Sequence, residues 1–199
     1  SYSWCSSKVG LGLSSVQPMK VNLMRSFLFA FFALASVILS AQQAVNPLIK
    51  SFGTVSTVPN ASFTPDPSLE YNIIVDVMSG GEDKSEVFFS LNNVARLLNL
   101  HIMAGVPKER LHVVVAIHNA AVWSVITDAV YKERFGVDNP HTPLFKEMSG
   151  NGVRIVVCGQ SLIKQKITHD QLIDGIEVAT SALTTLTEYQ LRGYALLKF

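Results

Sequence analysis

Three stretches of this chain are apolar almost without interruption. Tyr71-Asn72-Ile73-Ile74-Val75-Asp76-Val77-Met78 is rich in β-branched residues and reads as a strand buried on both faces. Leu111-His112-Val113-Val114-Val115-Ala116-Ile117 and residues 153–158 (VRIVVC) read the same way. Between them the period changes. Val87, Leu91, Val94, Leu98 and Ile102 recur at three- or four-residue steps, so residues 84–103 are predicted to form a helix with one apolar face. Gly105 and Pro107 end it. Residues 120–130 are predicted as a second helix, followed by breaks at Gly136 and Asn139-Pro140. A short third helix is predicted over 144–149. Helical turns are expected at 161–164 and 169–174. A last helix is predicted over 177–191, with Ile176, Ala179, Leu183 and Leu186 on one face and Gly193 as C-cap. Residues 194–199 read as a closing strand. Strand and helix alternate, which predicts an α/β fold with a mainly parallel sheet.

Ahead of this lies a different pattern. Met19-Lys20 has the form of a translation start. Lys20 and Arg25 precede an uncharged apolar run, residues 26–39 (SFLFAFFALASVIL), followed by Ser40-Ala41-Gln42-Gln43. That is the layout of a secretory signal peptide, with cleavage expected after Ala41. The run is shorter than the about 20 apolar residues a membrane span needs; an uncleaved N-terminal anchor is the alternative. Residues 1–18 resemble neither a signal nor a domain and read as lying upstream of the start. Residues 42–68 carry Pro47, Pro59, Pro65 and Pro67 with many Ser and Thr. They are expected to form a leader, with a short helix at 45–52 and extended chain beyond. Residues 69–199 are then a single α/β domain.

Charge and cysteine content follow from that division. Removing residues 1–41 leaves 158 of the 199 residues and takes away Lys8, Lys20 and Arg25, so 13 basic side chains face 15 acidic ones. No basic stripe persists, which argues against nucleic acid as a partner. Cys5 departs with the leader, and Cys158 is left without an intramolecular partner. An unpaired cysteine in an exported protein is buried and inert, joins two chains, or is reactive.

Cys158 lies where a buried strand ends and the chain turns, the edge at which α/β sheets place their ligands. If Gly159-Gln160-Ser161-Leu162 opens a helical turn, its N–H groups point toward the sulfur and favour the thiolate. Gly159 allows close backbone approach, while Gln160 and Ser161 can donate to an anionic sulfur or its adduct. His118-Asn119 ends the second strand on the same edge, so His118 is the candidate to move the thiol proton and Asn119 to contact a ligand. The bland alternative is a histidine satisfied by loop backbone. His112 starts its strand at the opposite edge and is expected to be structural. Ser79-Gly80-Gly81 lacks the spacing of a phosphate-binding loop and reads as a plain strand-to-helix turn. The histidines His101, His112, His118, His141 and His169 form no metal-ligand spacing, and no metal or cofactor is expected. With no second cysteine, dithiol chemistry is excluded; no Gly-x-Ser-x-Gly elbow is present.

Residues 152–162 (GVRIVVCGQSL) resemble the strand-and-turn segment of the DsrE/DsrF-like family, whose fold is also called YchN-like. His118-Asn119, Asn139-Pro140, Ala182-Leu183-Thr184-Thr185-Leu186 and Gly193-Tyr194-Ala195-Leu196 agree in order and spacing, and the likeness covers about residues 71–199. It implies a Rossmann-like three-layer sandwich that assembles into homotrimers or hexamers. It also implies a sulfur-relay role in which Cys158 carries a persulfide between donor and acceptor proteins. The signal sequence places this member outside the cytoplasm, in the periplasm, off the membrane once cleaved, and makes tRNA thiolation an implausible pathway.

Two readings follow from the sequence. In one, Cys158 accepts sulfane sulfur, His118 assists proton transfer, and Asn119, Gly159, Gln160 and Ser161 hold the anion, the last three through backbone N–H groups of Gly159 and Gln160 and the Ser161 side chain. In the other, the domain is an oligomeric binding or scaffold module and Cys158 is core packing. A metal site built from Cys158, His118 and His169 across chains is a third arrangement.

Overall fold

The computed structural model describes residues 44–199. The expected signal run, its cleavage point after Ala41, Cys5 and residues 1–18 lie outside the described residues. A two-stranded antiparallel ribbon, β1 (Ala44–Val45) with β2 (Val55–Ser56), precedes the main sheet. That sheet contains β3 (Tyr71–Val77), β4 (Leu111–Ile117), β5 (Arg154–Cys158), β6 (Glu177–Ala179) and β7 (Ala195–Lys198) in the order β6-β5-β4-β3-β7. Every pairing in it is parallel. The helices are α1 (Phe89–Met103), α2 (Asp128–Phe135), α3 (Thr142–Gly150), α4 (Gly159–Gln165) and α5 (Ala182–Leu191).

Alternation along the strands divides the core in two. Ile73, Val75, Val77, Val113, Val115, Ile117, Ile155 and Val157 point to one face, where Leu91, Val94 and Leu98 of α1 and Leu144, Phe145 and Met148 of α3 cover them. Ile74, Val114, Ala116 and Val156 point to the other, where Tyr189 and Leu186 of α5 are the cover. The result is the expected three-layer α/β/α sandwich. From β3 to β6 the chain adds neighbours in one direction, and α5 carries it back over the opposite face to pair β7 with β3. Keeping one handedness while reversing direction requires this change of face.

Three elements differ from the sequence reading. Residues 177–191 are not one helix: Glu177–Ala179 is the edge strand β6, and α5 begins only at Ala182 after the N-cap Ser181, whose hydroxyl accepts from Leu183 N–H at 3.2 Å. A three-residue strand is too short to show a period of two. It is fixed instead by Glu177, which receives a two-pronged bond from Arg154 of β5 at 2.9 and 2.6 Å. Ile176 accordingly joins the main core, and Leu183 is 76 % exposed. Second, the helix expected over 120–130 is a 3-10 segment, Asn119–Val125, followed by α2. The carbonyls that a continuous helix would use are taken elsewhere: Asn139 Nδ2 donates to Ser124 O and Ile126 O, and Ile173 N donates to Val125 O.

Third, residues 45–52 form no helix. They bend around Asn99 of α1, whose side chain is fully buried. Its Oδ1 accepts from Leu48 N and Ile49 N at 2.9 and 2.8 Å; its Nδ2 donates to the carbonyls of Ile49, Phe52 and Gly53 at 3.1, 3.0 and 3.0 Å. Ile49 thereby enters the core. Gly53 has φ +66°, and a Cβ there would lie 2.3 Å from Arg96 N, so only glycine fits this closure.

Candidate functional site

The carboxyl ends of β4, β5 and β6 meet at a cavity of about 330 Å³, lined by His118, Asn119, Cys158, Gln160, Ser161, Lys164, Gln165, Ser181, Ala182 and Leu183. Five of the six residues singled out in the sequence therefore line one space. Gly159 stands just behind it. A Cβ on Gly159 would lie 2.8 Å from Ala179 O, so the close approach it permits is that of β6. His112, by contrast, lies at the other end of β4 and contacts Glu70 at 3.2 Å.

Cys158 is the free cysteine among the described residues and is 5 % exposed. It serves as N-cap of α4, and its thiol donates to Ser181 Oγ across 4.0 Å. Burial pushes the thiol pKa up. The Ser161 hydroxyl, the N–H groups of Ala182 and Ser161, and the Ser181 hydroxyl outweigh this and leave Cys158 below the ordinary cysteine value. The backbone donors are thus Ser161 and Ala182, where Gly159 and Gln160 were expected. Cys158 makes no side-chain cap hydrogen bond, but counting from it Ser161 is the third helical residue, whose free N–H lies on the side of the N-cap. Ala182 comes from the start of α5, which the sequence reading had hidden inside a longer helix.

Ser161 is itself oriented. Its Oγ accepts from Asn119 N–H at 3.0 Å, which leaves the hydroxyl proton available to the sulfur. Asn119 reaches that position through a left-handed backbone, φ +52°, which asparagine tolerates better than most residues. The cavity lining contains one cation, Lys164, and no carboxylate, a balance that suits an anionic occupant.

His118 continues the pairing Ile117↔Val157 by one residue and so stands beside Cys158 on the neighbouring strand. Its Nε2 lies 2.6 Å from Asp76 Oδ1 on β3. Asp76 is 7 % exposed, and its Oδ2 lies 3.6 Å from Lys198 Nζ on β7. Asp76 and Lys198 were missed in the sequence. The available signal was the single acid within the apolar run of β3.

Among the described residues, no group of three or more His, Cys, Asp or Glu side chains could hold a metal ion, and Cys158, His118 and His169 do not converge within one chain. No helix of the described residues is long and apolar enough to cross a membrane.

A parallel α/β domain with a cysteine at a strand's carboxyl end, capped by two helix starts, is the class that fold and cavity define. The chain belongs to the DsrE/DsrF-like family, whose model matches residues 72–199. Among solved structures it is similar to MTH1491 of Methanobacterium thermoautotrophicum, a protein of unknown function, with 22 % identity and a TM-score of 0.50 over 65 % of this chain and 99 % of that one. It is also similar to the ychN protein of E. coli, with 18 % identity and a TM-score of 0.49 over the same shares. No curated protein matches it in sequence.

Proposed function

We propose that this protein carries sulfane sulfur on Cys158 as a persulfide, passing it between a donor and an acceptor. The observation that carries this reading is the set of donors around one sulfur: two hydroxyls and two backbone N–H groups, drawn from α4 and α5, all favouring negative charge there. A persulfide anion, Cys–S–S⁻, is one atom longer and would extend into the cavity toward Lys164, Gln160 and Asn119. His118 is the proton carrier. Family membership supports the same chemistry, and the export signal read from the sequence favours a periplasmic setting for it. Incubation with polysulfide or thiosulfate, followed by intact-protein mass spectrometry, is expected to add the mass of one sulfur atom at Cys158. No added sulfur, together with a Cys158 inert to alkylating agents, would sink the proposal.

Self-association belongs to this reading. Leu183 and Leu191 of α5 are 76 % and 85 % exposed and flank Thr187 on one open apolar surface. Leu183 also lines the cysteine cavity, so a second copy docked on α5 would wall that cavity. Sedimentation is expected to show a trimer or hexamer that Leu191→Arg dissociates; a monomeric native protein would refute this. The same apolar face, with the low exposure of Cys158, is what favours the second reading, a scaffold with a structural cysteine. Unchanged oligomer state and ligand binding in Cys158→Ser would favour it.

A further inference from the structure

We propose that Asp76 is a positioning residue for His118, and that the line Lys198–Asp76–His118 sets the proton affinity of the Cys158 cavity. The inference rests on the sulfur-carrier reading for its biological purpose, but its geometry stands apart from it.

Asp76 interrupts an otherwise apolar central strand. A buried carboxylate is costly unless paired, and its side-chain partners here are His118 at 2.6 Å and Lys198 at 3.6 Å. Alternation puts Asp76, His118, Cys158 and Lys198 all on the α5 face: Asp76 follows Ile74, His118 follows Ala116, and Cys158 follows Val156 in the small core cluster there. Asp76 pairs directly with Lys198 across β3 and β7. The four groups thus share one face at the carboxyl edge of the sheet, with His118 reaching diagonally to Asp76, whose direct partner on β4 is Ala116.

An ionised carboxylate only accepts hydrogen bonds, so the proton between Asp76 and His118 belongs to Nε2. That fixes the tautomer and leaves Nδ1 as the basic nitrogen. Nδ1 has no hydrogen-bond partner among the described residues, and His118 lines the cavity with Cys158. Nucleophile, base and orienting acid is the arrangement that activates cysteine and serine nucleophiles on unrelated folds. The step it serves is sulfur transfer between thiols. The Cys158 thiol proton passes to His118 Nδ1. The thiolate attacks the outer sulfur of a persulfide R–S–S–H, forming Cys158–S–S–H as the bond from that sulfur to R–S breaks. The leaving R–S⁻ takes the proton from Nδ1. The transferred sulfur keeps its oxidation state, so no external oxidant is needed.

The charged and titratable groups around His118 are Asp76, Lys198 beyond it, Cys158 and Lys164. Lys198 is three strands from Cys158, on the order of 14 Å at the usual strand spacing, so it acts on the thiol chiefly through Asp76.

The test is the rate of Cys158 alkylation by iodoacetamide as a function of pH in the full chain. Asp76→Asn and His118→Ala are each expected to move the profile to higher pH and slow the reaction several-fold at neutral pH. The double variant should be no slower than His118→Ala alone. Lys198→Gln, at an exposed side chain, is expected to move the profile the opposite way by freeing the carboxylate for His118. Additive slowing in the double variant, or an unmoved profile in Asp76→Asn, overturns the proposal. If Asp76→Asn does not fold, an unmoved or upward-shifted Lys198→Gln profile does so. A wild-type protein that takes up no sulfur yet shows this coupling would remove the carrier reading and leave the positioning role in place.

Discussion

Ser161 does two things with one oxygen. It accepts from Asn119 N–H, and its hydroxyl favours the ionised sulfur, so it links the end of β4 to the thiol on β5. Ser161→Ala removes the strongest of the lowering influences on Cys158. A hydrogen bond to a charged group contributes about 1.5 kcal/mol or more. Alkylation of Cys158 at neutral pH is therefore expected to slow about tenfold, with the fold unchanged by circular dichroism. Gly159 carries a purely steric constraint. The atom that a methyl group would strike, Ala179 O, is backbone, and neither the start of α4 nor β6 can yield alone. Gly159→Ala is expected to cost about 1–3 kcal/mol in urea unfolding, and to disturb alkylation kinetics as well, because β6 leads directly into Ser181 and Ala182.

The leader shows how one side chain can organise a whole segment. Asn99 satisfies five backbone groups of residues 48–53, and α1 holds it rigidly from below. Asn99→Ala leaves those groups without partners, at about 1–3 kcal/mol for each that stays buried. The cheaper response is release of the segment. Hydrogen exchange is expected to accelerate across residues 46–53 while β3 and β4 keep their protection; uniform acceleration through the sheet would contradict this. None of this grip was legible in the sequence, because a buried asparagine and a surface one look alike in a helical pattern. The long apolar strands β3, β4 and β5 were legible, since burial on both faces writes itself into composition. So were Cys158, His118, Asn119, Gln160 and Ser161 as neighbours, because parallel strands bring their carboxyl ends together. β6 was not, being three residues long and held by the Arg154–Glu177 pair. Missing it hid Ser181 and Ala182, half of the sulfur's surroundings. Asp76 was visible as an acid in an apolar run, but its meaning needed the register that pairs it with Lys198.

On the scale of the whole molecule, stability should depend on acid through a residue far from the cysteine. His141 is fully buried; its Nε2 accepts from Phe88 N–H at 3.1 Å and its Nδ1 donates to Asn139 Oδ1 at 2.7 Å. Burial, followed by the charge of Lys84, pushes its pKa down to about 3 from an ordinary 6.5. Between those values the unfolded chain binds the extra proton, so its stabilising contribution is complete above pH 6.5 and declines as pH falls toward 3. The slope is about 1.4 kcal/mol per pH unit. Urea midpoints measured from pH 7 to pH 4 are expected to fall accordingly, with the His141 ring signals showing no protonation of the native state over that range.

Cys158 shifts stability with pH in the same direction, but by holding a charge where His141 excludes one. Its donors come from the starts of α4 and α5, which are separate in sequence and lie at different places on the sheet. A negative sulfur therefore acts as a rivet between them. Because the folded thiol ionises below the usual cysteine value, the chain should gain stability as pH rises through that range, and Cys158→Ala should lose this gain. Any adduct that keeps the charge would hold the rivet, and any that neutralises it would loosen both helix starts. The melting temperature thus becomes a gauge of what the sulfur is carrying, readable without a label or an assay of transfer.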